Sequence, residues 1–160
     1  MNSGQLILIL ASFFVLSILI LMVNSNLLED QDQLVKSKGT FNALLEAKNI
    51  FEEIKTKSFD ENYLAIAKYN KDSLTNFYKF GPEGESYPKF DDIDDYQNYE
   101  REVNYKNVKR FKLRLNVNYV SEDNPNQIIF NNSFFKQVSI ICFDELQNQI
   151  FELKQIFSIW

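Results

Sequence analysis

The chain has 160 residues, a net charge of −5 and an aromatic content of 15%, with fifteen Phe and eight Tyr. That is enough for one domain with a real core and argues against global disorder. There is no histidine and one cysteine, which excludes an intrachain disulfide, a Ser-His-Asp triad, a Cys-His pair and a histidine-ligated zinc within this sequence.

Residues 6–23 read LILILASFFVLSILILMV, eighteen positions without a charge, whose only polar side chains are Ser12 and Ser17. As a helix this stretch spans about 27 Å, close to the hydrocarbon thickness of a bilayer. No lysine or arginine precedes it and no small-x-small site follows, so residues 1–24 read as a single-pass anchor rather than a cleaved leader. Ala11, Ser12 and Ser17 are small enough for a partner span to approach closely. With only a short segment before the span, the expected orientation has the N-terminus inside and residues 25–160 outside.

The helical pattern continues to about residue 57. Phe41, Leu44, Leu45, Lys48, Phe51 and Ile54 recur at i, i+3 and i+4, with Ala47 and Ile50 widening the stripe. LLEAKNIFEEIKTK is rich in strong helix formers. The simplest reading is one very long helix, its first half in lipid and its second half amphipathic. Residues 62–80 are mixed, and Tyr63, Leu64, Ile66 and Tyr69 would suit a short helix.

FGPEGESYP opens a loop that runs from about residue 80 to about 103. It contains KFDDIDDYQNY, with Asp91, Asp92, Asp94 and Asp95 between aromatics. These carboxylates offer hard oxygens, and calcium, the cofactor the loop would suit, takes six to eight. The spacing is not that of an EF-hand. Equally, aspartates in a solvated acidic turn bond to local backbone N–H groups. Phe90, Tyr96 and Tyr99 would pin the loop under either reading. Paired carboxylates can hydrolyse glycosides, but no cleft-forming architecture is predicted, and the glycines are too scattered for a phosphate loop. The chain is therefore not expected to be an enzyme or to take a small-molecule substrate. Without a basic patch it is not expected to bind nucleic acid.

Lys109 to Val120 alternates cleanly: Phe111, Leu113, Leu115, Val117 and Tyr119 on one face, Lys112, Arg114, Asn116 and Asn118 on the other. Such a strand has one buried and one wet face, as in an antiparallel sheet. Phe134 to Phe143 and Ile150 to Ile159 follow as strands. Cys142, within VSIICF, reads as a small core residue. Asn131-Asn132-Ser133 reads as a surface turn. The expected fold is α+β: a long N-terminal helix packed on an antiparallel meander of three strands, or four, from about residue 105 to 160.

A long helix, half span and half amphipathic, then a loop, then a meander: this resembles a type IV pilin or pseudopilin. FEEIKTKSFDE resembles the end of the long helix in minor pilins and general-secretion pseudopilins. FGPEGESYPKFDDIDDYQNY resembles the aspartate-rich loop of minor pilins of the mannose-sensitive haemagglutinin type, and FKLRLNVNYV the first strand of their sheet. The resemblance implies a structural subunit of a type IV pilus or type II secretion pseudopilus. It implies lipid and other pilin or pseudopilin subunits as partners, in a bacterial cell membrane with the globular part extracytoplasmic. Gly4 would be the processing-site glycine and Gln5 the new N-terminus. Ile9 stands where the family usually has a Glu; members lacking it are typically minor, tip-type subunits or degenerate relatives that are never assembled. Some pseudopilins hold calcium in this loop.

Overall fold

Helix α1 runs Ser3–Ile54 in the computed structural model, which describes residues 2–61, 70–105, 109–145 and 148–159. The short helix expected near Tyr63–Tyr69 lies outside the described residues. The chain divides into two units, Met1–Lys38 and Gly39–Trp160. In the first, every described side chain except the half-buried Val35 is exposed. Its apolar stretch is long and apolar enough to cross a membrane, and none of that stretch is buried within the protein. The Ser12 and Ser17 hydroxyls donate 2.8 Å hydrogen bonds to Ile9 O and Phe13 O, so the helix itself satisfies them.

In the second unit the end of α1 packs on an antiparallel sheet. Strands β1 (Glu100–Tyr105), β2 (Lys109–Val120), β4 (Phe135–Phe143) and β5 (Gln149–Ser158) lie in the order β1-β2-β4-β5, and the short β3 (Ile128–Ile129) pairs with β2. The inward row of β2 is the expected one, and Phe111, Leu113, Leu115, Val117 and Tyr119 are all buried. From β4 it meets Val138, Ile140 and Cys142.

The helix face keeps Ala47, Ile50, Phe51 and Ile54 of the expected stripe and differs towards its start. Gly39, Ala43, Ala47, Ile50, Phe51 and Ile54 are buried, whereas Phe41 is 61% and Leu45 43% exposed. The i+4 line Gly39-Ala43-Ala47 is buried together with Ile50, Phe51 and Ile54, and at Gly39 the neighbour is Phe111 of β2. A Cβ at Gly39 would stand 2.8 Å from Phe111 Cε2 and 3.1 Å from its Cζ. Phe111 is only 4% exposed and cannot swing clear. Gly39→Leu should therefore cost about 1–3 kcal/mol despite leucine's better helix propensity. A thermal melt matching wild type would contradict that packing.

Two boundaries move. The helix ends at Ile54 rather than near 57, because Thr56 and Lys57 turn back with N–H bonds to Glu53 O and Ile54 O. The strand β1 begins at Glu100, inside the segment expected to be loop. EREVNY buries only Val103, so it shows no apolar alternation. Its partner β2 supplies the order: Glu100 lies opposite Arg114 and bonds Arg114 at 2.7 Å and Lys112 at 3.0 Å. These cations hold the Glu100 carboxyl below its usual range. Of the expected surface turn Asn131-Asn132-Ser133, only Asn131 is exposed: Asn132 is half-buried, its Nδ2 donating to Lys71 O and Leu74 O at 2.9 Å, and Ser133 is buried.

Candidate functional site

The aspartate loop is built onto the end of α1. Ser58 N donates to Asp91 O at 3.0 Å and Ile93 N to Ser58 O at 3.1 Å, a short parallel bridge. Tyr96 Oη donates to Glu53 Oε1 at 2.7 Å and Tyr87 Oη to Glu53 Oε2 at 3.1 Å. The rings of Phe90, Tyr96 and Tyr99 pack edge to face, with centroids 5.0–6.2 Å apart, and Tyr87 stacks on Tyr99. Arg101 pairs with Glu46 at 2.7 Å. The aromatics thus pin the loop to the helix, as expected.

The four aspartates do not share one role. Asp95 Oδ2 accepts from the backbone N–H groups of Asp91 and Asp92 at 3.0 and 3.2 Å. Asp92 Oδ1 accepts from the N–H groups of Asp94 and Asp95, and its Oδ2 accepts from Glu61 N at 2.8 Å. Asp94 Oδ1 accepts from Lys136 Nζ at 2.5 Å. Local backbone bonding is what an acidic turn predicts, but Asp92, Asp94 and Asp95 are buried rather than solvated. Only Asp91 is exposed.

Around them lies a recess of about 110 Å³ lined by Glu61, Gly81, Glu83, Glu85 and the four aspartates. Glu85, Asp91 and Asp95 each bring a carboxylate oxygen to within 4.8 Å of the others. Three hard oxygens so placed suit a calcium ion, with solvent completing the shell. The calcium expectation therefore narrows to Asp91 and Asp95 with Glu85, the three whose carboxylate oxygens converge. Calcium titration followed by melting temperature measures it. An increase that disappears in Asp91→Asn supports the ion, and no shift at millimolar calcium removes it.

Crowded carboxylates also compete for protons. Burial, then the charge of Asp94, pushes Asp92 up to about 8, against the opposing pull of Lys136. Burial raises Asp95 and Glu85, and the hydrogen bond and charge of Glu83 raise Glu61. Unfolded, these groups titrate near about 4. Between there and about 8 the folded chain binds more protons than the unfolded one, so this stability is present at low pH and lost as pH rises. We expect a melting temperature higher at about pH 5.5 than at about pH 8.5. A fall on acidification across that window would contradict the burial of Asp92.

Behind the loop lies a lysine that sequence reasoning missed. Lys136 is wholly buried, and its Nζ donates to Phe59 O at 2.7 Å, Asp60 Oδ2 at 3.0 Å and Asp94 Oδ1 at 2.5 Å. Asp60, also wholly buried, accepts from Thr75 N at 3.0 Å and Thr75 Oγ1 at 3.1 Å. Tyr119 Oη donates to Thr75 O at 2.8 Å. Its phenol, desolvated beside Asp60, is held well above the ordinary tyrosine range. One signal was legible: β4 alternation puts Lys136 in the row of Val138, Ile140 and Cys142, a charge in core register. Cys142 itself is buried, and desolvation pushes its thiol up to about 11, as suits a core residue.

Gly4 and Gln5 lie in the first turn of α1, where Gln5 N bonds Asn2 O at 2.9 Å. Ala11, Ser12 and Ser17 are exposed along the apolar stretch. No protein-family model matches the chain, and neither a curated protein nor a solved structure matches it.

Proposed function

We propose that this chain is a membrane-anchored, pilin-like structural subunit of a type IV pilus or type II secretion pseudopilus, of minor or tip type. The observation that carries the reading is α1: one helix, Ser3–Ile54, fully exposed and uncharged over its apolar stretch and buried at its other end under an antiparallel sheet. An exposed apolar helix needs lipid or other helices around it. Ala11, Ser12 and Ser17 permit close approach of a neighbouring span, and the exposed Phe41 and Leu45 offer apolar surface beyond it. In this reading the N-terminus is cytoplasmic and the sheet extracytoplasmic, in a bacterial cell membrane. The mature chain of a processed subunit would begin at a methylated Gln5.

Ile9 favours a second reading. A subunit that pairs with a neighbour's amine through a buried Glu accepts a charge costing about 3 kcal/mol in lipid, and Ile9 carries none. Such a chain is free to sit in the membrane alone, as an unprocessed single-span protein whose external domain binds an envelope or glycan partner. The mass of the chain isolated from membranes separates the two. Loss of Met1–Gly4 with a methylated Gln5 supports the subunit; an intact N-terminus supports the solitary protein. Recovery in the soluble fraction without detergent would sink both.

A further inference from the structure

The Lys136 site is arranged for a covalent step. Nζ lies 3.0 Å from Asp60 Oδ2 and 2.5 Å from Asp94 Oδ1, and the rings of Phe59, Phe80 and Tyr119 surround it at 4.6, 5.1 and 5.6 Å. The side chains of Lys136 and Asp60 are 0% exposed, so bulk water reaches neither the nucleophile nor the carboxyl. A buried cation facing two carboxylates keeps a heavy desolvation cost. Asp60 is also held from behind: Thr75 N–H donates to its Oδ2 at 3.0 Å, and Thr75 Oγ1 donates to its Oδ1 at 3.1 Å. Donors fixed on those oxygens stabilise the negative charge that develops when the carbon between them is attacked.

We propose that Lys136 Nζ and Asp60 Cγ condense to an intramolecular amide, with Asp94 relaying the protons. The ammonium passes a proton by way of Asp94 to Asp60 Oδ2, leaving a neutral amine and a neutral acid. The amine lone pair attacks Cγ, forming the N–C bond as the Cγ–Oδ1 π pair moves onto Oδ1, which Thr75 Oγ1 holds. Asp94 takes a proton from nitrogen and gives it to Oδ2; the Cγ–Oδ1 double bond re-forms as the Cγ–Oδ2 bond breaks, and Oδ2 departs as water. One ammonium and one carboxylate become one neutral amide, Asp94 returns to its starting state, and no oxidant or cofactor enters. Pre-positioned partners make such a step effectively unimolecular. Asp60 rather than Asp94 is the electrophile, because Thr75 donates to both of its oxygens. The product ties the segment following α1 to β4, stapling helix end and sheet together.

The test is mass spectrometry of the full chain purified in detergent. The expected chain is lighter than its sequence by about 18 Da, one water. Trypsin should fail to cut after Lys136, and the peptide carrying Asp60 should be joined to the one carrying Lys136; this readout is independent of any N-terminal processing. A folded chain of full mass, cut normally at Lys136, overturns the proposal, as does a link ending on any other residue. Asp94→Asn keeps the shape and removes the relay. It should fold by circular dichroism yet retain the full mass, and a dehydrated Asp94→Asn chain would refute the role of Asp94.

Discussion

Lys136→Met should lower the unfolding free energy by about 3–5 kcal/mol, a large part of the total stability of an ordinary domain. Methionine nearly conserves volume, so packing changes little. What changes is charge: Asp60 and Asp94, with side chains 0% and 5% exposed, would face one another's surroundings without a cation. An uncompensated buried carboxylate is among the few mechanisms that give so large an effect. Lys136→Met/Asp94→Asn should recover part of the deficit, because it removes one of the two stranded charges. In the linked chain Lys136 and Asp60 are already one neutral amide, so there the substitution breaks the covalent tie and restores a buried Asp60 carboxylate, and the direction is the same. Urea unfolding in detergent, followed by near-ultraviolet circular dichroism of the buried tyrosines, measures it. A variant within about 0.5 kcal/mol of wild type would mean that the lysine is not a keystone of this core.

The contrast between β2 and this site shows what a sequence makes legible. In β2 polar and apolar residues alternate from Arg110 to Tyr119, and both ends of the strand, Lys109 and Val120, are readable. In β4 and β5 the same logic located the strands to within a residue. β1 escaped because its order comes from Glu100 meeting Arg114 and Lys112 across the ladder, a property of two segments together. The helix face was misread for a related reason. Phe41 and Leu45 are the larger apolar residues, but close approach to Phe111 selects Gly39, and the buried face runs on through Ala43 and Ala47 instead. At the aspartates, the local backbone bonds were foreseeable from residue type. Their burial was not; for Asp94 it comes with a cation arriving from β4. Lys136 left a trace in the period of its strand; Asp60 and Thr75 left none, because only tertiary folding brings them to Nζ.

Two charges placed in the apolar stretch should abolish membrane retention where one weakens it. Of the eighteen residues from Leu6 to Val23, fourteen are Leu, Ile, Phe or Val. On an insertion scale these contribute roughly −4 to −8 kcal/mol in all, and each Leu→Arg near the centre swings the balance by about 3–4. Leu16→Arg alone should leave insertion marginal. Leu16→Arg with Leu19→Arg should exceed what the segment supplies. No side chain in this stretch is buried within the protein, so neither change removes a core contact. The sheet unit, Gly39–Trp160, has its own core, and its circular dichroism should be unchanged. The readout is alkaline carbonate extraction of vesicles: wild type in the pellet, the single variant divided, the double variant released. If the double variant stays in the pellet, some other surface holds the protein to the membrane and the anchor is misassigned. If wild type is itself washed off, the apolar stretch is covered by a protein partner rather than by lipid.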